Sequence, residues 1–279
     1  MNLIVQAKDI PTPSLKQLAK LTSATAIEAI SSTAFKLVAA NESRRDEVAA
    51  FCDAQALDCG WVPAERRITD FGLLVMDMDS TLITIECIDE IADMQGLKPQ
   101  VSTITEAAMR GEIDFAESLR RRVSLLAGLD ESALQRVYDE RLQLSPGAET
   151  LLAAARAAGI KTLLVSGGFT FFTERLKPRL GLDYTAANTL EIVDGKLSGR
   201  VLGDIVDAQG KADWLNRVRS ELDLAPAQVI AMGDGANDLK MMAKAGVSIA
   251  YRAKPVVRGQ ASHALNQVGL DGILPLLGR

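Results

Sequence analysis

The sequence has few of the residues from which protein metal sites and disulfides are most often built. Only three of its 279 residues are cysteine and one is histidine: Cys52, Cys59, Cys87 and His263. The cysteines lack the paired spacing of a structural zinc site, so we expect none. Together these features favour a reducing, cytoplasmic location. The formal net charge of −5 argues against nonspecific binding to nucleic acid.

Long hydrophobic runs are also missing. No uninterrupted apolar run approaches the roughly 18 residues that a membrane span requires. Residues 1–8 lack a basic region followed by a long apolar one, and we therefore expect no secretory signal. The apolar content of 48% is that of a globular protein, and the length corresponds to one or two domains.

Residues 1 to about 68 have the pattern of a small separate module. Strand-like segments at residues 2–7, 35–38 and 61–62 alternate with helical spacing before residue 35 and over residues 44–56. This alternation predicts a small α+β unit. The segment contains no combination of residues that indicates catalysis.

From residue 71 onwards the chain alternates between short apolar runs and helical patterns. The runs at 71–76, 160–165, 228–232 and 247–250 predict buried parallel strands, and therefore an α/β fold with a Rossmann-like sheet and helices on both faces. Residues 190–201 predict a hairpin. Residues 86–145 are far too long for an ordinary strand-to-helix connection. Their pattern is helical throughout, which predicts an inserted helical cap that covers the strand ends and excludes water.

Polar residues follow three of the predicted strands. These residues are Asp77 and Asp79, then Ser166 with Gly167 and Gly168, then Asp234 and Asp238. Each group alone has a plain structural explanation, because aspartate and glycine are common in turns. The carboxyl ends of parallel strands meet at one edge of the sheet, however, so we expect the three groups to lie together.

Carboxylates that cluster in this way repel one another unless a cation lies among them. An all-oxygen site suits Mg²⁺, and we predict one ion bound by the side chains of Asp77 and Asp234 and by the backbone carbonyl of Asp79. Asp238 would support the turn as a helix cap. Ser166 and the following glycines, at a predicted helix start, would form an anion cradle.

A lysine, Lys211, follows a glycine at another predicted helix start, from which it could neutralise a bound anion, although a solvated surface lysine fits the pattern too. Together these groups indicate phosphoryl transfer to a carboxylate. Asp77 would attack phosphorus and form an aspartyl phosphate. Asp79 would protonate the leaving alkoxide and then deprotonate the hydrolytic water.

Four motifs resemble those of the haloacid dehalogenase superfamily. They are Asp77-Met-Asp-Ser-Thr, Ser166-Gly-Gly, Lys211 and Gly233-Asp-Gly-Ala-Asn-Asp238, and the insertion stands where that superfamily has its helical cap. Residues 77–86, 115–123 and 165–169 further resemble members that act on phosphoserine. This resemblance covers residues 71–279. It implies Mg²⁺-dependent hydrolysis of O-phospho-L-serine, the last step of serine biosynthesis.

The same resemblance implies the substrate contacts. Glu86 would bind the substrate ammonium group and Arg122 its carboxylate. Phe115 would form an apolar wall, and Asn237 would contact the substrate or its phosphate. Because residues 120–122 are three consecutive arginines, a solvated helix face is the other explanation for Arg122.

The resemblance also bears on the first 68 residues, which lie outside the catalytic match. Bacterial members of the superfamily often carry ACT-like modules at this position, which bind amino acids or mediate dimerisation. We therefore expect an ACT-like domain and a possible homodimer formed through it.

Two other functions remain open at this level. The first is a phosphatase or phosphotransferase that acts on another small phosphomonoester, such as phosphothreonine or a sugar phosphate, and a sugar phosphate would need neither Glu86 nor Arg122. The second is a non-catalytic phospho-acceptor signalling domain, which would need neither so long a cap nor Asp79. A regulator that only binds amino acids is disfavoured by the complete set of acids.

Overall fold

The computed structural model describes residues 1–278, and its first 62 residues form a four-stranded antiparallel sheet with two helices. In chain order the elements are β1 (Asn2–Gln6), α1 (Thr12–Leu21), β2 (Ala26–Ser31), β3 (Ala34–Val38), α2 (Arg45–Ala54) and β4 (Asp58–Val62). The strand order is β2-β3-β1-β4. This βαββαβ arrangement is the ferredoxin-like one, and it confirms the predicted α+β unit.

Strand β2 was not predicted from the sequence. All six of its residues are exposed, because it is the outer strand of the sheet. Its apolar residues stand at positions 26, 27, 29 and 30, so they do not alternate as the residues of a half-buried strand do.

The rest of the described chain is built on a seven-stranded sheet. Its strands are β5 (Leu73–Met76), β6 (Lys161–Phe169), β7 (Tyr184–Val193), β8 (Lys196–Leu202), β9 (Val229–Gly233), β10 (Val247–Tyr251) and β11 (His263–Leu265). The order is β11-β10-β9-β5-β6-β7-β8, and only the β7–β8 hairpin is antiparallel. The chain leaves β5 to one side and later returns to its other side, which confirms a Rossmann-like sheet with a crevice at this switch point.

Strand β5 is buried on both of its faces. Leu74 and Met76 pack into one hydrophobic core, whereas Leu73 and Val75 pack into the core on the opposite face of the sheet. A strand that is covered on both faces consists of a continuous run of apolar residues. Strand β5 could therefore be predicted from the sequence.

Four helices separate β5 from β6 and form the cap. They are α3 (Cys87–Asp93), α4 (Lys98–Met109), α5 (Phe115–Ser124) and α6 (Ser132–Glu140). The sequence predicted a helical pattern throughout this insertion, and all four helices lie within residues 86–145. The loop between α5 and α6 is hydrogen-bonded to the β7–β8 hairpin, since the Gly128 N–H donates to the Leu197 carbonyl at 2.8 Å.

The remaining helices lie around the large sheet. They are α7 (Ala148–Ala157), α8 (Thr170–Leu180), α9 (Ala208–Glu221), α10 (Leu239–Met242) and α11 (Pro255–Arg258), followed by a 3₁₀ segment over Leu270–Leu277. Two predicted boundaries were wrong. Strand β6 continues through Phe169 instead of ending at residue 165, and β7 begins at Tyr184 rather than at residue 190.

The N-terminal sheet is fixed to the large sheet by buried polar contacts. The carboxylate of Asp58 accepts hydrogen bonds from the backbone N–H groups of Asn266 and Gln267, both at 2.8 Å. The amide of Gln6 donates to the Gly272 carbonyl at 2.9 Å. Within residues 1–278, no helix combines the length and apolar character that a bilayer span requires.

Candidate active site

The predicted nucleophile, Asp77, lies at the carboxyl end of β5 and is almost completely buried. Its Oδ1 accepts a hydrogen bond from the Met78 N–H at 2.7 Å and lies 2.6 Å from Nζ of Lys211. Burial raises the pKa of Asp77 well above its usual range, and nearby Asp238 raises it further. The Lys211 ammonium group opposes this rise and favours the ionised carboxylate.

The ammonium group of Lys211 is held between two carboxylates. Its Nζ lies 2.6 Å from Asp77 and 2.8 Å from Oδ1 of Asp238, and the side chain is 1% exposed. Burial lowers the pKa of Lys211, but the two carboxylates outweigh that effect and raise it overall. The lysine is therefore charged and buried, whereas the sequence alone also allowed a solvated surface residue. Its helix, α9, begins at Ala208 after the capping residue Asp207.

Three carboxylates meet at the ends of β5 and β9. Asp77, Asp234 and Asp238 each offer one oxygen atom, and these atoms lie within 4.8 Å of one another. The Thr81 hydroxyl donates to Oδ1 of Asp234 at 3.2 Å. Burial, followed by the charge of Asp238, raises the pKa of Asp234 to about 6. One lysine cannot compensate all three negative charges, and the all-oxygen donor set therefore fits a metal ion.

Within this cluster Asp238 is the least available to an ion. Its Oδ1 accepts from Lys211, and its Oδ2 accepts from the Gly235 N–H at 3.0 Å. This is the turn-capping contact that the sequence predicted for it. Asp77 and Asp234 are thus the better placed side chains for metal binding.

The predicted acid/base, Asp79, lies in the wide turn Met78–Leu82 that follows β5. Its Oδ1 accepts from the Cys87 N–H at 3.0 Å, and its Oδ2 lies 3.3 Å from the Ser166 hydroxyl. Burial raises the pKa of Asp79, although the Cys87 N–H partly opposes the rise. An elevated pKa allows this carboxyl to hold the proton that a leaving alkoxide requires.

The Ser166-Gly167-Gly168 segment leads from a strand into a helix, as the sequence predicted, since α8 begins at Thr170. It lies inside β6, where the pairing with β7 shifts register between Val165 and Phe169. The Ser166 hydroxyl accepts a hydrogen bond from the Gly168 N–H at 2.8 Å.

Both glycines of this segment are required by close packing. A Cβ on Gly168 would lie 2.7 Å from Oδ2 of Asp79, and one on Gly167 would lie 2.8 Å from Cζ of Phe115. The segment therefore brings backbone close to Asp79 and Phe115, directly before Phe169, the N-cap residue of α8.

A buried asparagine that the sequence did not reveal, Asn188 on β7, holds this segment. Its side-chain N–H donates to the Gly167 carbonyl at 2.8 Å, and its carbonyl oxygen accepts from the Val206 N–H at 2.8 Å. One amide thus joins β6 to the loop that leads into α9 and Lys211. No motif marks it, because both contacts are distant in sequence.

A cavity of about 500 Å³ opens from the strand ends towards the cap. Its lining includes every predicted site residue except Ser166 and Asp238, which are buried beneath it. Those lining residues are Asp77, Asp79, Glu86, Phe115, Arg122, Gly167, Lys211, Asp234 and Asn237.

Of the three consecutive arginines, only Arg122 lines the cavity. Arg120 is exposed, and Arg121 is exposed and ion-paired with Glu117 at 2.7 Å. Burial lowers the pKa of Arg122, while Asp89 opposes that effect. The helical period of α5 therefore places only one of the three arginine side chains in the cavity.

The carboxylate of Glu86 opens into the same cavity. Its Oε1 accepts from the Ser80 hydroxyl at 2.7 Å. Although the side chain reaches the cavity solvent, the surrounding protein raises the pKa of Glu86 to about 8, and the charge of Asp79 adds to this.

The residues of the lining that were not predicted include Asp89, Thr105, Met109 and Lys254. Asp89 stands three residues after Glu86, the N-cap residue of α3, and this spacing of about one helical turn could have identified it. The other three carried no signal of their own in the sequence.

Comparison with known proteins agrees with this geometry. The family model of haloacid dehalogenase-like hydrolases matches residues 74–243, and a domain of unknown function (DUF4072) matches residues 3–48. The chain therefore belongs to the haloacid dehalogenase-like hydrolases, as its parallel sheet, cap and strand-end carboxylates indicate.

The relatives of this chain carry a more specific name. Phosphoserine phosphatase from Polaromonas sp. (strain JS666 / ATCC BAA-500) is 55% identical over 218 residues, which are 76% of this chain and 92% of the relative. A crystal structure of a probable phosphoserine phosphatase from Vibrio cholerae has a TM-score of 0.87 at 40% identity, covering 99% of this chain and 86% of that one.

A second structure matches over nearly the full length. The haloacid dehalogenase family hydrolase t0658 from Salmonella enterica serovar Typhi has a TM-score of 0.90 at 34% identity, covering 99% of this chain and 97% of the other. The match extends through the N-terminal sheet as well as the catalytic part.

Proposed function

We propose that this chain is a phosphoserine phosphatase that hydrolyses O-phospho-L-serine to L-serine and phosphate. The observation that carries the proposal is the single cavity that joins Asp77 and Asp79 to Glu86 and Arg122. One end of the cavity has the groups for phosphoryl transfer, and the other has an anion and a cation for a zwitterionic amino acid. A sugar phosphate would use neither of the latter.

Asp77 is proposed as the nucleophile because it lies at the end of β5, 2.6 Å from the Lys211 ammonium group, whose charge favours the ionised carboxylate. One oxygen of Asp77 forms a bond to phosphorus while the bond from phosphorus to the serine oxygen breaks. Asp79 gives its proton to the departing serine oxygen. The products of this step are L-serine and an aspartyl phosphate.

The second step uses the same two carboxyl groups. Asp79, now ionised, takes a proton from a water molecule as the water oxygen attacks phosphorus. The bond between phosphorus and Asp77 breaks, which releases phosphate and restores the carboxylate. Lys211 offsets negative charge next to Asp77 in both steps, and Ser166 with the Gly167 and Gly168 backbone receives the phosphoryl oxygens.

A metal ion fits the carboxylate cluster, and we propose Mg²⁺ because the donors are all oxygen. Asp77 and Asp234, with the backbone carbonyl of Asp79, would hold it. The ion supplies charge stabilisation for the phosphoryl oxygens when bound. Asp238 supports the site by binding Lys211 and the Gly235 N–H.

At the cap end, Glu86 is proposed to bind the substrate ammonium group and Arg122 its carboxylate. Arg122 is suited to this because guanidinium binds carboxylate through two parallel hydrogen bonds. Phe115, which lies beside Gly167, is proposed as an apolar wall of the cavity, and Asn237 is proposed to contact the substrate or its phosphate.

The N-terminal module is proposed to be ACT-like, which its βαββαβ order supports. A homodimer through this module and a cytoplasmic location also belong to the proposal, and the free state of Cys52, Cys59 and Cys87 supports the latter. Light scattering of the full chain tests the dimer.

A phosphate-release screen tests the function. The purified chain is incubated with phosphoserine, phosphothreonine, sugar phosphates and an aryl phosphate, with Mg²⁺ or with EDTA. We expect phosphoserine to give the highest kcat/KM and EDTA to abolish release. A sugar phosphate as the best substrate would refute the proposed specificity, and full activity in EDTA would refute the metal site.

A further inference from the structure

Ser80, in the turn between β5 and the cap, has an unusual backbone. Its φ is +54°, in the left-handed region that residues other than glycine seldom adopt. Two hydrogen bonds hold it there. The Ser80 N–H donates to the Ile85 carbonyl at 3.2 Å, and the hydroxyl donates to Oε1 of Glu86 at 2.7 Å. Unfavourable backbone of this kind at a functional site indicates that the conformation serves a purpose.

The Ser80 hydroxyl is bonded to the side chain of Glu86, which has a second oxygen that can still accept hydrogen bonds. Glu86 precedes α3 as its N-cap residue, yet its side chain accepts no hydrogen bond from that helix. Instead Oε1 is directed at Ser80, and within residues 1–278 no hydrogen bond reaches Oε2. One oxygen is therefore fixed by the protein, and the second is available in the cavity that also contains Arg122.

We propose that Ser80 is a specificity-determining residue, because its hydroxyl holds the Glu86 carboxylate in the orientation that receives the ammonium group of the substrate. Ser80 itself acts through Glu86 and is a positioning residue. A hydrogen bond of 2.7 Å is directional enough to select one rotamer of a flexible glutamate. The inference deepens the proposed function and depends on it.

A merely structural role for Ser80 makes a different prediction. If the hydroxyl only stabilised the turn, its loss would disturb Asp79, which lies one residue earlier, and would slow every phosphomonoester equally. If it positions Glu86, its loss affects only substrates that carry an ammonium group. Substrate discrimination therefore separates the two roles.

The test uses Ser80→Ala, Ser80→Gly, Glu86→Gln and the double variant Ser80→Ala/Glu86→Gln. Each is assayed with phosphoserine and with an aryl phosphate, which has no ammonium group. We expect both Ser80 variants to lose about tenfold in kcat/KM for phosphoserine, through KM, and less than about twofold for the aryl phosphate. Glycine relieves the backbone strain without restoring the hydroxyl, so it should not rescue specificity.

Thr84→Ala provides a matched control. Thr84 lies near the same turn, but its hydroxyl donates to the Gln143 carbonyl and not to Glu86. We expect its substrate preference to equal that of the wild type. In the Glu86→Gln background, Ser80→Ala should cause little further loss, because the group it positions has already been changed.

Two results would overturn the inference. Equal losses on both substrates, or full additivity of Ser80→Ala with Glu86→Gln, would leave Ser80 with a structural role only. Failure of the proposed function has a different signature. Wild-type protein that hydrolyses the aryl phosphate but not phosphoserine would refute that function, and this inference with it, before any variant is compared.

Discussion

The two ends of the active-site cavity hold their charges in different ways. At the strand ends, Lys211 is 1% exposed and lies within 2.8 Å of two buried carboxylates. Beneath the cap, Arg122 is only partly buried, and its one hydrogen bond within the described residues is a 3.4 Å contact with the Ser118 carbonyl. Glu86 likewise keeps one oxygen without a protein partner.

This difference follows from what each end does. In the proposed reaction the strand-end groups act on a phosphoryl group whose charge changes, and fixed groups stabilise such charge without reorganising. The cap-end groups are proposed to recognise a substrate that must enter and leave, and their free hydrogen-bonding capacity suits that role. The comparison predicts that changes at the strand ends reduce turnover with every substrate, whereas changes beneath the cap alter substrate preference.

The largest expected effect is that of Asp77→Asn. An amide cannot attack phosphorus at a useful rate, so kcat should fall by more than about 10⁴-fold for phosphoserine and for an aryl phosphate alike. Single-turnover assays with acid quenching measure the rate with each of the two substrates. A variant with substantial turnover in a preparation free of wild-type enzyme would remove Asp77 as the nucleophile.

Lys211→Met comes next, because it affects activity and folding together. Removing the lysine leaves two buried carboxylates without their partner, which should cost about 3–5 kcal/mol of stability at neutral pH. The cost should shrink as the pH falls, since burial raises the pKa of Asp77 and this carboxylate can then accept a proton. Urea unfolding at pH 5 and pH 8 measures this, with exposed Lys240→Met as the control. A loss that is the same at both pH values would contradict the charge argument.

Arg122→Ala should have a smaller effect that depends on the substrate. We expect KM for phosphoserine to rise by about 10- to 100-fold, and KM for an aryl phosphate to change little, because only the former has a carboxylate to bind. Arg121→Ala is the matched control, since its side chain is exposed and paired with Glu117. Equal effects of Arg122→Ala on both substrates would exclude Arg122 from substrate recognition.

The smallest expected effect is a change in the stability of the protein with pH and with added metal ion. In the metal-free protein, Asp234 has its pKa raised from 3.8 to about 6. Its contribution to stability is therefore present below about pH 4 and is lost as the pH rises through 6, a change of at most about 3 kcal/mol. Added Mg²⁺ should restore stability above pH 6.

Thermal unfolding in EDTA and in Mg²⁺, at pH 5 and pH 7.5, measures this dependence. In Asp234→Asn we expect both a flatter pH dependence and a weaker response to Mg²⁺. Unchanged behaviour in that variant would mean that Asp234 does not hold the ion.

Much of the site could be predicted because its residues stand at the ends of strands that are apolar throughout. Each such strand is recognisable in the sequence, and the residue that interrupts its apolar run must lie at the sheet edge. Asp77 and Asp234 were predicted in this way. The exposed edge strand β2 and the early part of β7 were missed, because partly exposed strands lack that continuous pattern.

Residues whose contacts are distant in the sequence could not be predicted from a local sequence pattern. Asn188 binds groups 21 and 18 residues away, and nothing in its neighbourhood distinguishes it from a loop asparagine. The extension of β6 through Phe169 was missed for a related reason, since the register shift in β6 depends on its pairing with β7.

The sequence by itself determined the class of fold, the cap and the identities of the reacting carboxylates, because hydrophobic periodicity and motif spacing are local properties of the chain. Only the tertiary structure decided which of three arginines enters the cavity, that Lys211 is buried between Asp77 and Asp238, and that Ser80 binds Glu86. Those outcomes depend on distances between segments far apart in the chain, and burial then sets the charge that each group carries.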